Sequence, residues 1–285
     1  MKILDGKALS AKVKSEVKDE ALRLKNLGVQ PALAVILVGE DKASQTYVNS
    51  KEKACNACEI RSIMHRLPAT TSESELLALV DVLNLDDSID GILVQLPLPA
   101  HISEQKVIKA ISPLKDVDGF HAINTGNLVS GIDGFVPCTP LGVMKMFSEY
   151  GIDLTGKVAC VIGRSNIVGK PMINLLLNAN ATVIATHSKT KNLNMMTKQA
   201  DIVVAAIGKP KFVKSDMIKD GAVIIDVGIN RLSDGSLVGD VDFENVKDKC
   251  SFITPVPGGV GPMTIAMLLS NTIKSAQNRL NKVNL

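Results

Sequence analysis

Apolar residues recur along the chain in two rhythms. Leu9, Val13, Val17, Ala21 and Leu24 return at helical spacing and stop at Gly28, which predicts an opening helix with one buried face. PALAVILVGE, residues 31–40, is a short continuous apolar run, the pattern of a strand covered on both sides. Helical spacing resumes from Ala43 to Glu59, and IRSIMHR, residues 60–66, reads as a strand. Ser72 to Asn84 predicts a helix opened by a Ser72/Glu75 capping box, and GILVQ, residues 91–95, predicts a further strand before the turn Pro97-Leu98-Pro99. Short strands alternating with helices predict a parallel sheet covered on both faces.

The rhythm fails from Ser112 to Pro140, where Gly, Pro, Asp and Asn dominate. A segment of this length without regular structure predicts a functional loop, because its ordering has to be offset by contacts, and it marks a domain boundary. Thr139 is placed to cap the next helix, with Pro140 in the first turn and Tyr150 at the far end. A second series follows. KVACVIG (157–163), ATVIATH (181–187), DIVVAAIG (201–208) and GAVIIDVG (221–228) read as strands, with helices over Pro171 to Asn178 and Asn192 to Gln199. Beyond the loop 251–264, Thr264 to Asn278 is an apolar-faced helix whose terminal position leaves open a return to the first domain.

Composition narrows the class. A chain of 285 residues exceeds the usual single-domain size, and 46% hydrophobic with 21% charged residues can bury a large core. Aromatic residues are only 3%, which argues against a stacking platform for single-stranded nucleic acid. A net charge of +3 with interspersed signs predicts no nucleic-acid or membrane partner. The amino terminus lacks an apolar signal core, so a soluble cytoplasmic protein is expected. Five thinly spread cysteines fit a reducing compartment, and Cys55-x-x-Cys58, mid-helix with no second close pair, reads as ordinary helical cysteines.

The junction KVACVIGRSNIVGKP carries the sharpest chemistry. A buried strand ends at Ile162, and Gly163 and Gly169 bracket a loop whose amides can face a pyrophosphate at the start of the next helix. The fingerprint is imperfect, with Ser165 and Val168 where the second and third glycines would stand, and a tight structural turn is the alternative. The following strand ends in Thr186, His187, Ser188 and Lys189, without the acidic residue that normally receives an NAD ribose. With Arg164 nearby, these groups favour NADP, although solvated strand ends also carry such residues. AIGKP and DVGIN fall on the same carboxyl edge, where Gly208 and Gly228 permit close approach and Ile229 offers an apolar wall.

In the first half, helical spacing puts Tyr47 and Lys51 on one face. They fit an amphipathic surface, or a lysine acting as base or proton relay with a tyrosine hydroxyl orienting the reacting centre. Gln95 follows a buried strand, and Asp116 and Asp118 enter the irregular region, either to cap a turn or to hold a donor-rich heterocycle. Facing sites in two domains would suit group transfer between cofactor and substrate.

YVNSK, VQLPLP, KDVDGF, PCTP, GRSNIVGKP, HSKT, DVGIN and PGGVGPMT occur in this order over essentially the whole chain. In this combination the sequence resembles the bifunctional methylenetetrahydrofolate dehydrogenase/methenyltetrahydrofolate cyclohydrolase family. The resemblance implies a two-domain α/β protein. An amino-terminal folate-catalytic domain of residues 1–120 would be joined by a returning helix 264–285, with an interdomain segment 121–139 and a Rossmann-like NADP-binding domain 140–263. It also implies Lys51 as the proton-handling catalytic residue supported by Tyr47 and Gln95, both of which also bind substrate, and Asp118 as the partner of the pterin ring. Pro257, Gly258 and Gly259 would belong to the segment that closes over substrate. Gly163, Arg164, Ser165, Ser188 and Ile229 would contact NADP, and no metal is required. The implied reactions oxidise 5,10-methylenetetrahydrofolate to 5,10-methenyltetrahydrofolate and hydrolyse that to 10-formyltetrahydrofolate, in a homodimer of one-carbon metabolism. Thr186 stands where cysteine is frequent in the family.

Overall fold

The structure, a computed structural model, describes residues 1–283. The chain divides into two compact units, one of residues 12–138 with the segment from 265 onward, the other of residues 1–11 with 139–264.

In the first unit a three-stranded parallel sheet has the order Arg61–Leu67, Ala32–Val38, Gly91–Val94. All seven residues of Ala32–Val38 are buried, as expected of a central strand written in continuous apolar residues. Ala32, Ala34, Ile36 and Val38 pack on Leu76, Val80 and Leu83 of the helix Glu73–Leu85. That helix opens with the expected capping box: Ser72 Oγ accepts from Glu75 N, and the Glu75 carboxylate accepts from Ser72 N. The terminal helix Val260–Val283 is tied into this unit by Arg279, whose guanidinium grips the buried Asp90 carboxylate at 2.8 and 3.0 Å.

The expectation of irregular chain from 112 to 140 requires correction. Residues Ala122–Ser130 form a helix, capped by the His121 side chain accepting from Ile123 N and ended by Gly131 at φ +67°. The segment is ordered by side-chain hydrogen bonds to nearby backbone and side chains instead of by an apolar period. The buried Asp116 carboxylate collects the amides of Phe120 and His121 and the side chain of Asn124. The next helix starts at Cys138, so Thr139 lies inside its first turn, and its hydroxyl pairs with that of Thr264 at 2.8 Å instead of capping.

The second unit is built on a six-stranded parallel sheet of order Lys2–Ile3, Phe252–Ile253, Val223–Asp226, Ile202–Ala205, Val158–Ile162, Thr182–Thr186. Its core combines Cys160, Ile162, Val203, Ala205, Ile224 and Ile253. The first strand pairs Lys2 with Phe252 and Ile3 with Ile253, which draws residues 1–11 into this unit and away from the expected 1–120 body. Two-residue strands such as these, and the small hairpin of Asn230–Arg231 with Leu237–Val238, are too short to show a period. The short helix shrinks to Leu193–Thr197, and the final helix begins at Val260, four residues before Thr264. The last two residues of the expected 264–285 helix lie outside the described residues.

Candidate active site

The helix Lys42–Ala57 is opened by Asp41, whose carboxylate accepts from Ser44 N at 2.7 Å. Ser44, Val48 and Cys55 are buried on its inner side, which leaves Tyr47, 45% exposed, and the half-buried Lys51 one turn apart at the margin of that face. Cys55 and Cys58 are free and buried, and burial pushes the Cys55 thiol up to about 12. Lys51 Nζ donates to Gln95 Oε1 at 3.0 Å. Gln95 follows the strand Gly91–Val94, its own amide anchored on Ile36 O, and its Nε2 donates to Leu96 O, which leaves Oε1 turned toward the ammonium. A neutral amide thus orients the lysine through its acceptor oxygen.

Asp118 is half-buried. Burial pushes its carboxyl above the ordinary carboxylate range, against which the Lys51 charge acts in the opposite direction. Cys138 Sγ approaches Asp118 Oδ1 at 3.7 Å, and burial holds that thiol well above its usual value. Asn271 fixes the backbone beside both, donating to Val117 O at 2.8 Å and Val136 O at 3.1 Å. Asp116, by contrast, is spent on its loop, and burial pushes it up to about 6. Lys51 and Gln95 are therefore brought into contact, Asp118 lies within reach of the lysine charge, and Asp116 is a turn-forming group.

In the second unit the strand Val158–Ile162 runs into Gly163, at φ +121°, and the helix Gly169–Asn178. Ser165 Oγ accepts from Val168 N at 3.2 Å and Gly169 N at 3.3 Å, so the serine in the second-glycine position holds the amides of the N-cap Val168 and the first helical residue. A Cβ on Gly169 would stand 2.4 Å from Gly163 O, so only glycine lets the helix start this close to the strand. Beside the loop lies a pocket of about 510 Å³ lined by Gly163, Arg164, His187, Ser188, Ile207 and Lys209, among others. Arg164, Ser165, Ser188 and Lys209 are exposed around it and no carboxylate lines it. Thr186 is buried, its hydroxyl donating to Val161 O, and Lys189 N donates to His187 Nδ1.

Ile229 is exposed just past the strand Val223–Asp226. Pro257, Gly258 and Gly259 form the turn before the terminal helix. Gly258 has φ +104°, and its carbonyl accepts from Lys7 N at 2.9 Å. This hydrogen bond ties the turn to the amino-terminal residues of the same unit.

Lys209, Asp240 and Asn271 were not singled out from the sequence. Lys209 belongs to AIGKP, a string already placed on the carboxyl edge, and its charge beside Arg164 was the available signal. Nothing local marks Asp240 or Asn271, whose partners lie 10–33 and 133–154 residues away in the chain.

Comparison with known proteins covers the chain nearly end to end. Residues 4–118 match the family model for the tetrahydrofolate dehydrogenase/cyclohydrolase catalytic domain, and residues 137–280 match the NAD(P)-binding domain of the same family. The bifunctional protein FolD of Campylobacter curvus is 74% identical over 98% of this chain and 97% of that one. The crystal structure of the bifunctional FolD methylenetetrahydrofolate dehydrogenase/cyclohydrolase from Campylobacter jejuni superposes with a TM-score of 0.97 at 58% identity, covering 98% of this chain and 99% of that one. That of the Trypanosoma brucei enzyme, complexed with NADP and an inhibitor, gives 0.93 at 38% identity over 97% of each chain. Both halves thus match in order, at identities far above those at which only a fold is shared, and the chain belongs to the tetrahydrofolate dehydrogenase/cyclohydrolase family.

Proposed function

We propose that this protein oxidises 5,10-methylenetetrahydrofolate to 5,10-methenyltetrahydrofolate with NADP and then hydrolyses that product to 10-formyltetrahydrofolate, with Lys51 handling the proton in the second step. The observation that carries the reading is the 3.0 Å contact of Lys51 Nζ with Gln95 Oε1, near the half-buried carboxyl of Asp118. Net hydrolysis adds one water to the methenyl cation and releases one proton. Lys51 accepts one proton of the attacking water as the C–O bond forms, and the remaining hydroxyl proton passes to N5 as the C–N5 bond breaks, leaving the formyl group on N10. Gln95 holds the amine in place through its acceptor oxygen. Tyr47, one turn earlier on the helix, offers a hydroxyl to the bound folate, and Asp118 accepts from the N–H groups of its pterin ring.

The residues of the second unit fit a phosphorylated nicotinamide cofactor. The pocket borders a glycine loop at a helix start, and where an NAD site places an acid, after the strand Thr182–Thr186, it is lined by His187 and Ser188 with Arg164 also on its wall. Gly163 and Ser165 would hold the pyrophosphate, Arg164 and Ser188 the 2′-phosphate, and Ile229 the nicotinamide end. When bound, NADP supplies the hydride acceptor. Pro257, Gly258 and Gly259 contribute to substrate binding through a turn whose backbone is fixed. The dispersed charge and the family resemblance support a cytoplasmic homodimer without nucleic-acid or membrane partners. Purified protein given methylenetetrahydrofolate and NADP should form methenyl-folate and consume it enzymatically. NADP binding without turnover of either folate would contradict the reading.

A further inference from the structure

Asp240 is fully buried in the second unit, beside the nearly buried Asp226, and neither belongs to the residues given a role above. Its carboxylate collects four neutral N–H donors. Oδ2 accepts from Ile207 N at 2.7 Å and Gly208 N at 3.0 Å, and Oδ1 accepts from Lys209 N at 2.8 Å and Asn230 Nδ2 at 3.0 Å. Three of the donors are consecutive amides of the loop that follows the strand Ile202–Ala205, and Ile207 and Lys209 line the 510 Å³ pocket. The same loop touches the phosphate-loop glycine, because a Cβ on Gly163 would stand 2.3 Å from Ala206 O. On its other side the carboxylate presses on the DVGIN turn, where a Cβ on Gly228 would lie 2.2 Å from Asp240 Oδ1. Asp226 fixes the arrangement from behind, Oδ1 accepting from Gly228 N and Asp240 N and Oδ2 from Val241 N.

Two adjacent buried acidic side chains held by amides, with no cation among those partners, are a costly way to close a turn. What the arrangement provides is one rigid acceptor shared by two segments of the carboxyl edge. We propose that Asp240 is a positioning residue for the nicotinamide-cofactor site, setting the pocket loop 206–209 and the turn 228–230 that carries Ile229 in fixed relation to each other. The inference rests on the NADP reading above. Asp240→Asn keeps the shape but turns a carboxamide NH2 donor toward N–H donors, so those bonds cannot all be kept.

The test measures NADPH affinity directly by titration calorimetry, and hydrolysis of methenyltetrahydrofolate, which needs no cofactor, as an internal control. Asp240→Asn should weaken NADPH binding by about tenfold or more, while hydrolysis, whose residues Lys51 and Gln95 lie in the other unit, stays within about twofold. Affinity within about twofold of wild type would overturn the inference, as would a parallel loss of both readouts, which assigns Asp240 to folding in general. If Asp240→Asn cannot be recovered folded, Asn230→Ala removes one of the four donors and should weaken NADPH by about threefold, an unchanged affinity being the contrary result. Wild-type protein that binds no NADPH overturns the NADP reading and the inference together. Wild-type binding with unaffected variants overturns the inference alone.

Discussion

Arg164 stands exposed one residue past Gly163, and the next strand, Thr182–Thr186, is followed by His187, Ser188 and Lys189 with no carboxylate among them. Under the NADP reading proposed above, a guanidinium there would pair with a 2′-phosphate and find nothing comparable on a free ribose, so its contribution would be specific to NADP. Arg164→Ala should lower kcat/KM for NADP by about 10- to 100-fold and leave that for NAD within about threefold. Equal losses for the two cofactors would remove the assignment. Asp226 has a different consequence. Burial pushes its carboxyl up to about 7, while three amides and its neighbour Asp240 act on it as well. With an unfolded value of about 4, the folded protein holds a proton that the unfolded chain has lost between about pH 4 and pH 7. This group therefore adds stability at low pH and loses that contribution as pH rises through about 7, by roughly 4 kcal/mol at most. The buried Asp116, pushed up to about 6, acts with the same sign. Denaturant titrations from pH 5 to 8 should show a shallower decline for Asp226→Asn than for wild type, whatever its absolute stability, and an unchanged slope would contradict the assignment.

Ser72 and Glu75 close both bonds of a capping box, and the helix they open packs Leu76, Val80 and Leu83 on the central strand. Ser72→Ala leaves that packing intact and frees the Glu75 amide, so chemical denaturation should show a loss of about 1 kcal/mol without change in turnover. No measurable loss would mean that the flanking contacts already hold the helix. This element was legible because all its determinants are local. The strands Ala32–Val38 and Val158–Ile162 were legible for the same reason, each a run of apolar residues bounded by glycine or proline. Ala122–Ser130 was not, since its start is set by Asp116 and His121 reaching across turns and not by apolar spacing. Nor was the pairing of Lys2–Ile3 with Phe252–Ile253, in which some 250 residues separate partners in two-residue strands. The contact of Lys51 with Gln95 could be anticipated because each ends or lines an element that the sequence announces. Asp240 could not, because its four donors come from two other segments of the same unit.

The two units separate the residues proposed for hydrolysis, Lys51, Gln95 and Asp118, from the glycine loop and pocket proposed for the cofactor. Association is a property of the whole chain, and light scattering over a concentration series should return twice the chain mass. A monomer that keeps full activity would take dimerisation out of the functional reading. Hydride transfer and hydrolysis make separable demands on the molecule, since only the first needs NADP and only the second needs a proton acceptor for water.

Lys51→Met separates them most directly, keeping much of the apolar stem while removing the amine that meets Gln95. Formation and decay of methenyltetrahydrofolate should be followed spectroscopically as separate signals, with spontaneous hydrolysis subtracted. Enzymatic decay should fall by about 100-fold or more while NADPH affinity and the circular-dichroism signal persist. Near-wild-type conversion of methenyl-folate to 10-formyltetrahydrofolate by the Met variant would contradict the proton-handling role of Lys51, even with the family membership intact.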